Sequence, residues 1–199
     1  MLTRLLMTNE TKHTIEMLRW PGNGLKAYLA PEGFTADLVN ELGDNVIGVF
    51  DRLVLAKDPQ KPVAWAANVW CDPVVLPITS IGDAAKKLRA VQRNWALYPF
   101  KLHRRAALIA EKLPKVSAKP LVFGTAAPKA PLGSWTLIDA DTVLASAKCS
   151  SPFPNGEAEF VEDRTSAPSR AYLKLWEAFT VLGAHPKEGE FCVDLGACP

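Results

Sequence analysis

The chain has 199 residues, 48% of them hydrophobic and 22% charged, with a net charge of +2. That balance excludes a disordered polyelectrolyte, and no apolar run reaches the roughly 20 residues that span a bilayer. The opening MLTRLLM is too short an apolar stretch for a signal peptide and lacks a small-residue cleavage site, so a cytoplasmic protein is expected.

Residues 1–24 read as an extension, closed by the breaker Pro21-Gly22-Asn23-Gly24. Lys26–Ala30 then reads as a strand. Thr35 is a fair N-cap for a helix to Leu42, with Gly43 as the left-handed residue that ends it. Val46–Phe50 and Arg52–Ala56 look like β segments with little room between them. The order β-α-β-β over residues 25–61 suggests a small α+β unit, half of a ferredoxin-like fold. Asp58-Pro59-Gln60-Lys61-Pro62 punctuates the chain as a boundary.

A second unit is expected over 62–156. Ala64–Trp70, which carries Trp65, and Pro73–Ile78 read as strands. Ser80 can cap a helix to about Arg93, and Lys101–Leu113 reads as another, stopped by Pro114. Pro120–Gly124, Ser134–Ile138 and Thr142–Ala147 are strands, the last two joined by Asp139-Ala140-Asp141. The loop-rich run Ser150-Ser151-Pro152-Phe153-Pro154-Asn155-Gly156 closes this unit. From 157 onward a helix is expected from about Ser169 to Leu182, then an apolar strand, Phe191–Leu195.

Charge is distributed unevenly. From Lys86 to Lys119 there are ten basic residues and one acid, Glu111, a local charge of +9 that leaves −7 on the rest of the chain. Such asymmetry points to a surface that faces a polyanion. Lys86, Lys87, Arg89, Arg93, Lys101, Arg104 and Arg105 are candidate phosphate contacts. Trp95, Tyr98 and Phe100 lie between the two basic helices. They read either as core, the preferred reading, or as platforms that stack on unpaired bases. Cys71, Cys149, Cys192 and Cys198 form no Cys-x-x-Cys pair, and His13, His103 and His185 stand at no zinc-ligand spacing from them. No metal site is expected, and the thiols read as reduced and mostly buried.

The segment VDLGACP at 193–199 has the form of a first strand delivering a nucleotide loop, in which Gly196 permits a tight turn and close backbone approach. Upstream lies APSRAYLKLWEAF, residues 167–179. Together they resemble the SPSRAxxKLxEA…VDLGAxPGGW signature of the FtsJ-like rRNA ribose 2′-O-methyltransferases. Cys149-Ser150-Ser151-Pro152-Phe153 and the Trp65…Trp70 segment are also similar to that family, so the likeness runs from about 26 to 199.

The resemblance implies a ferredoxin-like unit, a THUMP-like RNA-binding unit over 62–156, and from 157 the start of a Rossmann-like domain that binds S-adenosylmethionine. It further implies methylation of 23S rRNA, with Lys174 as the first lysine of a Lys-Asp-Lys-Glu tetrad around the ribose hydroxyl. Ser169, Asp194, Gly196, Ala197 and Pro199 would serve the cofactor, and Arg170 the RNA. The other tetrad members and the Gly-Gly-Trp of the loop do not occur in this sequence, so this chain by itself is expected to be inactive. A ribose hydroxyl is a poor nucleophile, and a free lysine, with a pKa of about 10.4, is a poor base until burial or a second cation lowers it. Without the resemblance, Lys174 reads as a solvated residue beside the apolar stripe Leu173, Trp176, Phe179 and Thr180, and Ser169 and Arg170 as helix-start residues. The rival readings are an RNA-binding module without catalysis and an interaction domain for an acidic protein.

Overall fold

A computed structural model describes residues 24–116, 119–163, 165 and 169–193. The described elements run β1 (Leu25–Leu29), α1 (Thr35–Leu42), β2 (Val46–Phe50), β3 (Leu53–Lys57), β4 (Asn68–Trp70), β5 (Val74–Pro77), α2 (Ile81–Val91), β6 (Trp95–Leu97), α3 (His103–Ala110), β7 (Gly133–Asp139), β8 (Thr142–Ser146) and α4 (Tyr172–Leu182). The class is α+β, with two four-stranded sheets ordered β2-β3-β1-β4 and β5-β8-β7-β6. By contacts the described residues divide into two units. The first lies within Met1–Ala118 and Lys129–Glu157, the second within Lys119–Pro128 and Ala158–Pro199.

The first unit is layered because its central strands are apolar on both faces, with alternate side chains pointing opposite ways. Leu25, Ala27 and Leu29 join Leu53, Leu55 and Trp70 against Val75, Ile138 and Leu144 of the second sheet. On the other face of the first sheet, Tyr28, Ala30, Val54 and Ala56 pack under Leu38 and Leu42 of α1. The outer face of the second sheet, Trp135, Leu137, Val143 and Ala145, takes Ala84, Ala85 and Leu88 of α2 with Ala106 and Ile109 of α3. The order is therefore α1, first sheet, second sheet, then α2 beside α3.

Several expected elements are shorter or differently bounded. Thr35 is the first helical residue of α1, not its cap, because the cap position falls on Phe34, which makes no side-chain cap bond. Gly43 does have positive φ (53°), but its ψ of −130° lies outside the left-handed helical well. The strand expected from Ala64 begins at Asn68. Glu41 holds the preceding loop instead, its carboxylate accepting the Ala64 N–H (2.8 Å) and the Trp65 N–H (2.9 Å). The break at 58–62 does not end the first sheet, since β4 lies beyond it and pairs with β1. The helix expected over 101–113 starts at His103, after Leu102 takes a left-handed turn (φ 54°), and ends at Ala110.

Strand β6 was not expected. It is short, and it pairs in parallel with β7, 38 residues on at Trp95↔Gly133. After β8 the chain leaves the second sheet and covers the edge of the first. Trp70 bridges Cys149, the Cys71 N–H donates to Lys148 O (2.8 Å), and the Ser150 N–H donates to Val69 O (2.9 Å). A covered edge offers no open ladder to another chain.

In the second unit the expected strand at Pro120–Gly124 is reduced to one parallel bridge, Leu121↔Phe160, before a turn at Gly124 (φ 88°). Trp176 of α4 stacks on Phe123 (ring centroids 4.6 Å apart) and meets Phe160 and Tyr172 edge-on. No residue of α4 is fully buried, and Leu175 and Leu182 are 53% and 75% exposed. Of the strand expected over 191–195, Phe191, Cys192 and Val193 form no strand among the described residues, and Phe191 and Val193 are exposed. Asp194 and Leu195 lie outside the described residues, as do residues 1–23 of the expected extension. Among the described residues no helix is long and apolar enough to cross a membrane.

Candidate nucleic-acid interface

Helix α2 forms where Ser80 supplies the cap, its hydroxyl accepting the Asp83 N–H (3.0 Å), and Asp83 in turn accepts the Thr79 N–H (3.0 Å). Its small inner residues Ala84 and Ala85 let it lie close on the sheet. The spacing that buries Ala84, Ala85 and Leu88 turns Lys86 and Arg89 outward, and Arg93, just past the helix, is exposed. Helix α3 buries Ala106 and Ile109 and exposes Arg104. The two helices pack side by side on one face of the second sheet. Arg89 ties them, its Nη1 donating to Lys112 O (3.4 Å) just past α3.

The seven candidate cations of this segment separate into two groups. Lys87 is neutralised by Asp83 one turn back (3.0 Å) and donates to Pro77 O (2.6 Å). Lys101 pairs with Asp139 (3.3 Å) and lies over the Phe100 ring. Arg105 is half-buried, with its Nε enclosed and without a partner among the described residues. Lys86, Arg89, Arg93 and Arg104 are exposed and have no acid partner among the described residues. These four are the open cations among the seven candidates; Lys112 and Lys115, past α3, are exposed as well. The Asp83–Lys87 pair was legible as an i, i+4 spacing, whereas Asp139 was not, because it reaches Lys101 only through the fold.

Of the three residues Trp95, Tyr98 and Phe100, the first two belong to the interior and the third is half-buried against it. Trp95 is 5% exposed, and its indole N–H donates to Leu88 O and Gln92 O (3.0 Å each), which ties the end of α2 to β6. Tyr98 is 2% exposed and donates to Asp51 Oδ2 (2.6 Å), and burial, with that carboxylate, pushes its phenol up to about 12. Phe100 packs edge-on against Phe50. What stands exposed among the cations is aliphatic, Val91 and Leu108.

The residues singled out nearer the end of the chain lie in the second unit. Lys174 is exposed on α4 without an ion pair among the described residues, beside the half-buried Leu173, Trp176, Phe179 and Thr180. Arg170 pairs with Glu162 (2.6 Å), and the Ser169 hydroxyl accepts the Ala171 N–H (3.3 Å). A cavity of about 560 Å³ is lined by Pro120, Glu159, Phe160, Glu162, Arg170 and Leu173, among others. Of the residues expected to serve S-adenosylmethionine, only Ser169 is described. Asp194, Gly196, Ala197 and Pro199 lie outside the described residues.

Cys149 is largely enclosed, its Sγ 3.4 Å from the Ser134 hydroxyl, and burial pushes its thiol up to about 11. Cys71 is half-buried and Cys192 exposed. Among the described residues no group of three His, Cys, Asp or Glu is placed to hold a metal ion. Comparison of the chain with protein-family models, curated proteins and solved structures gives no significant match.

Proposed function

We propose that this chain is the RNA-binding portion of an S-adenosylmethionine-dependent enzyme that methylates a ribose 2′-hydroxyl of large-subunit (23S) rRNA. The observation that carries the RNA half of this reading is the face formed by Lys86, Arg89, Arg93 and Arg104, which two adjacent helices present without acid partners among the described residues. A face made only for solvation mixes signs, whereas one that releases counterions from phosphates does not. The first sheet supports the ferredoxin-like part of the reading. Its order β2-β3-β1-β4 is antiparallel throughout, with α1 joining β1 to β2, although no helix is described between β3 and β4.

The catalytic half rests on the motif around Lys174. Helix α4 suits the first helix of a larger α/β domain, since its exposed Leu175, Val181 and Leu182 are the surface such a domain would cover. S-adenosylmethionine, when bound, supplies the methyl group. Lys174, free of ion pairs among the described residues, would hold and orient the ribose hydroxyl, and would take up its proton only where burial or a second lysine of the intact enzyme first strips its own.

The test is binding to a 23S rRNA fragment, followed by fluorescence anisotropy. Replacing Lys86, Arg89, Arg93 and Arg104 together by glutamine should weaken binding by about 100-fold or more at moderate salt. Unchanged affinity in a folded variant would sink the reading. An RNA-binding module without catalysis shares this face, and transfer of a labelled methyl group to rRNA separates the two.

A further inference from the structure

We propose that the α2–α3 face recognises double-helical RNA through its phosphates and does not bind unpaired RNA by base stacking. This rests on the RNA-binding reading above and narrows it. Proteins that hold single strands combine a cationic groove with exposed aromatic rings on which successive bases stack. Here the cations lie on the outer surface of two helices and just past one of them, and every Trp, Tyr and Phe of the basic segment is packed against protein: Trp95 against α2, Tyr98 onto Asp51, the half-buried Phe100 onto Phe50, so that the small imidazole of His103 is the exposed ring there. The exposed apolar side chains beside the cations, Val91 and Leu108, have no ring to offer a base.

The described stacked pairs with exposed rings are Phe123 with Trp176, which belongs to the second unit, and one pair of the first unit that is not on α2–α3. Phe34 and Trp65 lie face to face (ring centroids 4.9 Å apart) and are both partly exposed. They belong to the α1 side of the first sheet, with both sheets between them and α2–α3. In an RNA duplex the bases are already stacked and the deep major groove is closed to side chains, so phosphates and 2′-hydroxyls are what such a face can reach. A duplex also releases more counterions per contact than a single strand.

The experiment compares the full chain's affinity for a blunt RNA duplex of about 16 base pairs with that for an unstructured polyuridine of the same length. Potassium chloride is varied from about 50 to 200 mM. The duplex should bind about tenfold tighter or better, and its log affinity should fall against log salt with a slope of about −4, one unit for each of the four phosphate contacts proposed for Lys86, Arg89, Arg93 and Arg104. Arg104→Gln and Lys86→Gln should each reduce that slope by about one. Lys86 is exposed and has no ion pair among the described residues, so its variant keeps the test valid if another misfolds. Shuffling the duplex sequence should change affinity less than about twofold.

Phe34→Ala with Trp65→Ala should leave duplex binding unchanged. Polyuridine binding as tightly as the duplex, or a loss of RNA affinity in that aromatic variant, overturns the inference while leaving RNA binding in place. Binding to neither RNA overturns both.

Discussion

Tyr98 shows how one side chain closes the space between the two sheets of the first unit. Its ring packs among Leu29, Leu55 and Ile138, while its hydroxyl donates to Asp51 Oδ2 and accepts the Arg52 N–H (3.1 Å) at the β2–β3 turn. Asp51 sits there with positive φ (59°), so the phenol anchors a turn that the backbone does not favour by itself. Tyr98→Phe keeps the ring and orphans both partners, and should cost about 1–2 kcal/mol in urea unfolding. The same phenol gives an alkaline signature. Because its pKa is raised by burial to about 12 in the folded state, its contribution is complete below pH about 10 and is lost as pH rises through about 12. A Tyr98→Phe variant should lose that alkaline dependence. Gly133 makes the complementary point, since a Cβ there would lie 2.7 Å from the Trp95 ring and 2.8 Å from Ser146 O, where β6 and β7 pair closely.

Among the elements, the clasp between α1 and the loop before β4 is electrostatic. The Glu41 carboxylate accepts two backbone N–H groups, and those bonds, led by the one from Ala64, hold it below the usual carboxylate range. A depressed folded pKa means that the clasp stabilises the fold above the unfolded carboxylate value of about 4.3 and is lost as pH falls through the folded one. Urea midpoints measured from neutral to acid pH should show this loss in the wild type and a flatter acid limb in Glu41→Gln. An identical profile in both would place the acid sensitivity elsewhere. The clasp also explains why Trp65 sits on the surface against Phe34 instead of continuing a strand toward Trp70.

The two units of the whole molecule differ in how much apolar surface each buries. Strands β1, β3, β7 and β8 are covered on both faces, whereas α4 buries no residue completely and is held by a ring cluster around Trp176. Opening free energy follows burial. Native-state hydrogen exchange should therefore show α4 amides opening at about 0–3 kcal/mol, against about 5 kcal/mol or more for β1 and β7. Equal protection would mean that α4 is covered in solution by another copy or partner. The cationic face belongs to the better-buried unit, and rigid elements beneath it suit the phosphate contacts proposed for it.

The local content of this protein is legible in its residue pattern. Alternating apolar residues placed strands β1, β2, β3, β7 and β8 within one or two positions, and Ser80 marked the start of α2, because period and capping are properties of neighbouring residues. The excess of positive charge between Lys86 and Lys119 was equally plain. The meetings of distant residues come from the fold alone: β6 with β7 in parallel, the chain after β8 crossing to the β4 edge, Asp51 with Tyr98 across 47 positions, and Asp139 with Lys101 across 38. Those pairings separate the neutralised cations from the open ones and turn the aromatic residues inward. They depend on how two sheets stack face to face, and stacking is set by side-chain volume and burial across the whole core, which no local pattern of residues contains.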